Sequence, residues 1–82
     1  MKLINVLTKY FPSVDDYMDV NEDDSRVLFL MLSKDNDQCE PDYSMNQYVD
    51  GTFIVRSLMG EVLLQTKDEK EVKKLVKVLA QN

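Results

Sequence analysis

The sequence contains no histidine and only one cysteine, Cys39. Histidine is the side chain that most often acts as a general base near neutral pH, and it is also the commonest transition-metal ligand. Structural zinc sites are built mainly from cysteine and histidine, so a zinc site within one chain is excluded. One cysteine forms no disulfide within the chain, and the cytoplasm is then the expected location.

Long apolar runs are also absent. No stretch reaches the roughly 18 consecutive apolar residues that indicate a membrane span, so we expect no membrane partner. The N-terminal stretch MKLINVLTKYFP has no small-residue cleavage site and is not typical of a signal peptide. Leu, Val, Ile and Phe together supply 25 of the 82 residues, enough for a thin core. We therefore expect residues 1–82 to form a single domain.

Motifs for catalysis and cofactor binding are missing as well. The sequence has no P-loop, no G-x-G-x-x-G and no G-x-S-x-G pattern. Pairs of carboxylates are frequent, but they lie in polar segments that would not desolvate them, so their pKa values have no reason to rise. We expect a protein that is not an enzyme, with no catalytic residues and no cofactor.

The acidic stretches match the calcium-binding EF-hand pattern only in part. Asp19, Asn21 and Asp23 match the first, third and fifth positions of that loop. The sixth position requires glycine for a sharp turn and is Asp24, and the twelfth requires a bidentate glutamate and is Leu30. The second candidate, residues 35–37, fails at the same two positions. The sequence therefore predicts no metal site.

The N-terminal residues have helical periodicity. Apolar side chains recur at the spacing of one helix face, at Leu3, Ile4, Leu7, Tyr10 and Phe11. This helix should end before Pro12, because the residue before a proline is disfavoured in the α conformation. Ser13 followed by Asp16 is typical of a helix N-cap with an acid in the first turn, which predicts a second short helix over Val14–Met18.

The middle of the chain has the pattern of strands. Six consecutive apolar residues, Val27–Leu32, favour a central strand covered on both faces. Asp50-Gly51 fits a two-residue hairpin turn, since both positions tolerate positive φ, and Met59-Gly60 fits a second tight turn. These turns separate three further predicted strands, over residues 43–49, 52–58 and 61–66.

The C-terminal residues have the clearest helical pattern. Thr66 and Glu69 match a T-x-x-E capping box at its start. One side of the helix carries Val72, Leu75, Val76 and Leu79, and the other carries Lys67, Lys70, Lys74 and Lys77. The predicted fold class is α+β: an N-terminal helix, with a possible second short helix, a four-stranded antiparallel meander sheet, and a C-terminal amphipathic helix packed on the sheet.

Charge is unevenly distributed along the chain. Residues 12–50 contain eleven acidic residues and two basic ones, a net charge of −9, whereas the other residues carry a net charge of +4. If the sheet gathers the acid-rich segments at one end, they form a surface that attracts basic protein grooves and repels nucleic acid and anionic lipid. Tyr17 and Tyr43 lie beside these acids and could anchor an interface. The candidate partner-binding residues are Asp15, Asp16, Tyr17, Asp19, Glu22, Asp23, Asp24, Asp35, Asp37, Glu40, Asp42 and Tyr43.

Two functional hypotheses follow from these features. The first is a small acidic interaction protein that binds, and could inhibit, a protein with a basic, nucleic-acid-binding groove, by analogy with phage-type inhibitors and nucleic-acid mimics. The second is a structural or assembly domain that forms a homodimer through the sheet edge or the C-terminal helix, with the acids serving only solubility. The lysines of that helix are interpreted as a solvated face, because no aromatic residue accompanies them, so no direct contact with nucleic acid is expected.

Overall fold

The computed structural model describes residues 2–16, 26–34 and 41–81, and only the backbone of residues 15, 16, 26 and 27. Its elements follow the order helix, five strands, helix, which confirms the α+β class. Their bounds are α1 Leu3–Tyr10, β1 Ser13–Asp16, β2 Arg26–Ser33, β3 Tyr43–Tyr48, β4 Phe53–Ser57, β5 Val62–Thr66 and α2 Glu69–Ala80.

Helix α1 ends where the sequence predicts. Its buried face consists of Leu3, Val6 and Leu7, three positions that lie on one side of an α-helix. Phe11 follows in an extended conformation, with φ −120° and ψ 118°, as the steric restriction before Pro12 demands. The Phe11 N–H still donates to the Leu7 carbonyl at 2.8 Å, which closes the last turn.

The predicted second helix over Val14–Met18 is wrong where the structure describes it. Ser13–Asp16 forms strand β1, antiparallel to β2, and the sheet therefore has five strands rather than four. The local preference of Ser13 for a helix cap is outweighed because pairing with β2 satisfies the backbone and lets Val14 pack on the core, opposite Leu32. Met18 lies outside the described residues.

The sheet is an antiparallel meander in the order β1-β2-β3-β4-β5. Its register aligns Leu30, Met45, Val55 and Leu64 in one row across four strands. The first three of these side chains are buried, and they share the hydrophobic core with residues of both helices. Helix α1 contacts β1, helix α2 contacts β4 and β5, and the two helices contact each other. The helices thus cover one face of the sheet.

Both hairpins after β3 have three-residue loops, which corrects the two-residue turn predicted at Asp50-Gly51. In the first hairpin the Tyr48 N–H donates to the Thr52 carbonyl at 2.9 Å and the Gly51 N–H donates to the Tyr48 carbonyl at 3.0 Å. Gly51 has φ +92°. This combination of a tight turn and a following glycine in the left-handed region is a common solution for three-residue loops. The β4–β5 loop repeats it, with φ +86° at Gly60.

Helix α2 is capped by Asp68, so the predicted Thr66 capping box is wrong. The Asp68 carboxylate accepts the Lys70 N–H at 2.9 Å, and the Thr66 hydroxyl accepts the Asp68 N–H at 3.0 Å. Thr66 is held in β5 by its pairing with Phe53, and aspartate is at least as good a cap as threonine. Val72 and Val76 are buried, whereas the predicted lysine face is exposed at Lys67, Lys70, Lys74 and Lys77.

Candidate functional site

The two acid-rich segments are attached to opposite ends of the sheet. Residues 17–25 connect Asp16 to Arg26, the first residue of β2, and residues 35–40 connect Lys34 to Pro41 after β2 has ended. Eight residues of extended strand span about 23 Å between their first and last Cα atoms. The acids are therefore attached at both ends of β2. A single docking surface would most simply require them at one end of the sheet.

Few of the candidate partner-binding residues lie in described parts of the chain. Asp15 and Asp16 belong to β1, where they pair with Met31 and Leu30 of β2. Asp42 immediately precedes β3, and Tyr43 is the first residue of that strand. The other candidates fall outside the described residues, as do Cys39 and most of the positions compared with an EF-hand; these candidates are Tyr17, Asp19, Glu22, Asp23, Asp24, Asp35, Asp37 and Glu40.

Asp42 closes the connection between β2 and β3. Its carboxylate accepts the Lys34 N–H at 2.7 Å, and its own N–H donates to the Leu32 carbonyl at 2.8 Å. A carboxylate that accepts a backbone N–H in a half-buried position helps to fix the two strand ends. Asp42 therefore has a structural role in addition to the negative charge that it places at this end of the sheet.

Tyr43 packs on the core rather than projecting freely. Its ring meets the ring of Phe11 edge-on, with 5.9 Å between the centroids and 74° between the planes. The Lys34 ammonium lies 5.7 Å from the centroid of the same ring, within the range of a cation–π contact. Met45 of the same strand is completely buried, and Tyr43 shares its packing role in part.

Asp50 places a carboxylate at the end of the sheet opposite to Asp42, beside the residues that flank the 17–25 segment. It follows Tyr48, which pairs with Arg26. The N–H of Thr52 donates to its carboxylate at 2.9 Å. Hydrogen bonds from the Thr52 backbone and side chain, and then the charge of Lys67, hold the pKa of Asp50 below its usual value. Asp50 is therefore ionised throughout the neutral range.

An exposed apolar patch on the β4–β5 hairpin was not predicted from the sequence. We call it the hairpin patch, and it consists of Leu58, Met59, Val62 and Leu63, with relative exposures of 63%, 90%, 48% and 37%. The sequence signal was present, because residues 62–66 are uncharged. The predicted meander order already placed this last strand at the sheet edge, but the pattern alone did not reveal how far its side chains are exposed.

The described residues also form a small apolar groove and bury the amide of Asn46. The groove, about 180 Å³ in volume, lies between α1 and strands β2 and β3, with Gln47 and Glu69 as its only polar lining residues among those described. Asn46 is 5% exposed, and its Oδ1 atom has no hydrogen-bond partner in the structure. Within residues 2–16, 26–34 and 41–81, no cluster of metal-ligating side chains is found. These features do not form a catalytic constellation.

Comparison with models of protein families, with curated proteins and with solved structures gave no match. Of the two helices in the described parts of the chain, neither has the length and hydropathy that crossing a membrane requires.

Proposed function

We propose that this protein is a small interaction module that docks acidic residues onto the basic groove of a partner protein in the cytoplasm. The partner is of the kind that binds nucleic acid, and occupation of its groove inhibits it by excluding the nucleic acid. The module has no catalytic activity of its own. The observation that carries the proposal is the net charge of −9 over residues 12–50, against +4 for the rest of the chain.

The main docking surface in this proposal is the acidic end, defined as residues 15–24 together with Asp50. It carries seven acidic residues and no basic one. The second acidic segment, residues 35–42, has four acidic residues and follows Lys34, whose ammonium lies over Tyr43. Concentrated charge of one sign steers a complementary partner over about one Debye length. Lys67 lies 4.0 Å from the Asp50 carboxylate and offsets one of the seven charges, so the larger cluster is still the better candidate for the interface.

The strand framework supports a preorganised surface. Asp15 and Asp16 belong to β1, whose backbone is paired with β2. Asp50 is fixed by its hydrogen bond from Thr52. Backbone held by paired strands and tight turns loses less conformational entropy on binding than a free chain does, which favours affinity.

The test is a pair of charge-reversal variants that separate the two ends. The protein is used as bait in cognate lysate at low and at high salt, and a captured basic protein is purified for binding kinetics. Reversal of Asp19 and Asp23 to lysine should slow association at least tenfold, whereas the matched reversal of Asp35 and Asp37 should have a smaller effect. Reversal of Lys70 and Lys74 to glutamate is the control, because it changes the charge by the same amount and with the opposite sign on α2.

The partner must also lose its nucleic acid when the module binds. A fluorescent DNA or RNA oligonucleotide bound to the partner should be displaced by the wild-type protein and not by the Asp19, Asp23 variant. A partner that binds both reversal variants as tightly as the wild type, with no dependence on salt, would rule out an acidic interface.

A further inference from the structure

The apolar groove between α1 and the sheet is unfilled space beside the hydrophobic core. Its apolar walls come from α1, β2 and β3 and consist of Leu3, Ile4, Leu7, Leu28, Leu30 and Met45. Among the lining residues, Leu7 and Met45 are fully buried, whereas Ile4 is exposed. The groove therefore runs from the core to the protein surface, and a group that approaches from solvent can enter it.

The volume of the groove fits one ring-sized group. It measures about 180 Å³, which compares with roughly 150 Å³ for an apolar cavity that takes up benzene. Sites for small organic ligands are usually larger, about 300–1,000 Å³. Water in a space with so few polar partners is poorly held, so an apolar group that displaces it gains affinity. The groove is therefore suited to a single apolar side chain of a partner protein, because such anchors fill pockets at interfaces.

The groove is continuous with the acidic end. Leu30 lines the groove and pairs with Asp16, where the chain leaves β1 for residues 17–25. The chain returns at Arg26, two positions before Leu28, which also lines the groove. The acid-rich segment is thus attached at both of its ends to strand positions next to the groove. An occupant of the groove is consequently within reach of the acidic end.

The charge beside the groove favours a basic occupant. The Lys73 ammonium lies 3.6 Å from the carboxylate of Glu69, which lines the groove, so these two charges offset each other. Lys67 and Lys2 offset two of the seven acids of the acidic end, and a surplus of negative charge remains. Cations on either side of an inserted apolar side chain are attracted by this surplus.

We propose that the groove receives one apolar side chain, of about the size of a phenyl ring, from a basic segment of the partner. The cations of that segment face the acidic end. This inference rests on the proposed function and adds the recognition chemistry to it. The buried anchor supplies much of the affinity, and the surrounding charges set the rate of association. The groove therefore selects a segment with an apolar residue between cations, whereas the acidic end alone accepts any basic surface.

The test uses short peptides with blocked ends as probes. They are titrated into the wild-type protein, and binding is followed by NMR at the methyl groups of Leu7 and Met45. One peptide has phenylalanine between two pairs of lysines, the second has alanine in its place, and the third has phenylalanine between two pairs of glutamates. The first should bind at least about tenfold more tightly than the second, because its ring leaves water. The third should bind more weakly than the first, because the acidic end repels it.

Variants of the protein separate the apolar contact from the charge. Ile4→Trp places a larger side chain at the groove and should weaken the lysine–phenylalanine peptide about tenfold, with no change for the alanine peptide. Val78→Trp is the matched control, because Val78 is exposed on α2 and does not line the groove. Reversal of Asp19 and Asp23 to lysine should weaken both lysine peptides by the same factor. Circular dichroism melts show whether each variant is folded.

The outcomes distinguish this inference from the proposed function. Equal affinity of the phenylalanine and alanine peptides for the wild type would overturn the groove contact. The proposed function would survive that result if both peptides still responded to salt and to the reversal of Asp19 and Asp23. Equal affinity of the lysine and glutamate peptides would overturn both, because the occupant would not be basic. Methyl signals of Leu7 and Met45 that do not move in millimolar peptide, or equal effects of Ile4→Trp and Val78→Trp, would also overturn the groove contact.

Discussion

At the scale of single residues, Asp50 makes the stability depend on pH in the acidic range. Its folded-state pKa is depressed below the usual value of 3.8, chiefly by the hydrogen bond from Thr52. The resulting stabilisation is complete above the unfolded-state pKa and is lost as pH falls through the folded-state pKa. NMR titration should give an Asp50 pKa below 3.8. Asp50→Asn, which keeps an acceptor for the Thr52 N–H, should reduce the loss of stability below that pH.

The start of α2 provides a second prediction for single residues. Asp68→Ala should lower the free energy of unfolding by about 1 kcal/mol, because it leaves the Lys70 N–H without its cap. Thr66→Ala should cost less, since its hydroxyl accepts only the exposed Asp68 N–H. Urea unfolding of both variants measures the difference. A larger effect for Thr66→Ala would mean that the helix begins at the predicted capping box after all.

At the scale of elements, the docking of α1 depends on its buried face. Leu7 is fully buried, whereas Ile4 on the same helix is 44% exposed. Leu7→Ala should therefore lower the free energy of unfolding by about 2–5 kcal/mol through a cavity in the core. Ile4→Ala, the matched control, should cost about 1 kcal/mol or less. Equal effects in denaturant titrations would contradict the observed packing of α1.

Local patterns predicted most of these elements but not all of them. The apolar spacing of α1 and α2 and the strand patterns of β2 to β5 were sufficient because those signals lie within each segment. Strand β1 was missed because its four residues carry the local signal of a helix cap, and only pairing with β2 decides its conformation. The predicted N-cap of α2 lies two residues before the observed one, and the predicted β3–β4 loop is one residue too short. At both places several polar residues compete for the same role.

The candidate site was also predictable only in part from the sequence. The concentration of acids in residues 12–50 is visible in the sequence, because charge needs no structure to be counted. Their attachment to opposite ends of β2 was also implied by the predicted strand over Val27–Leu32, because one acidic segment precedes that strand and the other follows it. The exposure of Val62 and Leu63 was not visible, because an uncharged apolar strand is typical of a covered strand and the meander order does not tell how much of it the helices cover.

At the scale of the whole molecule, clustered negative charge should make stability depend on salt. The net charge is −5 and most of the acids lie in residues 12–50, so the folded chain repels itself and salt screens that repulsion. Added sodium chloride should stabilise the fold by roughly 0.5–1 kcal/mol, measured as a higher melting temperature. Reversal of Asp19, Asp23 and Asp37 to lysine should abolish most of this rise. A wild-type melting temperature that falls with salt would contradict the expectation.

The meander order has a consequence for how the chain folds. Every strand pairs with its neighbour in sequence, so the sheet can grow one strand at a time through contacts between consecutive segments, which favours rapid folding. The contact between α1 and α2 is different, because it joins segments separated by the entire sheet. During synthesis, α2 emerges after all five strands. Until it does, the part of the core face beside β4 and β5 has no cover, and that interval is when the nascent chain is most exposed to aggregation.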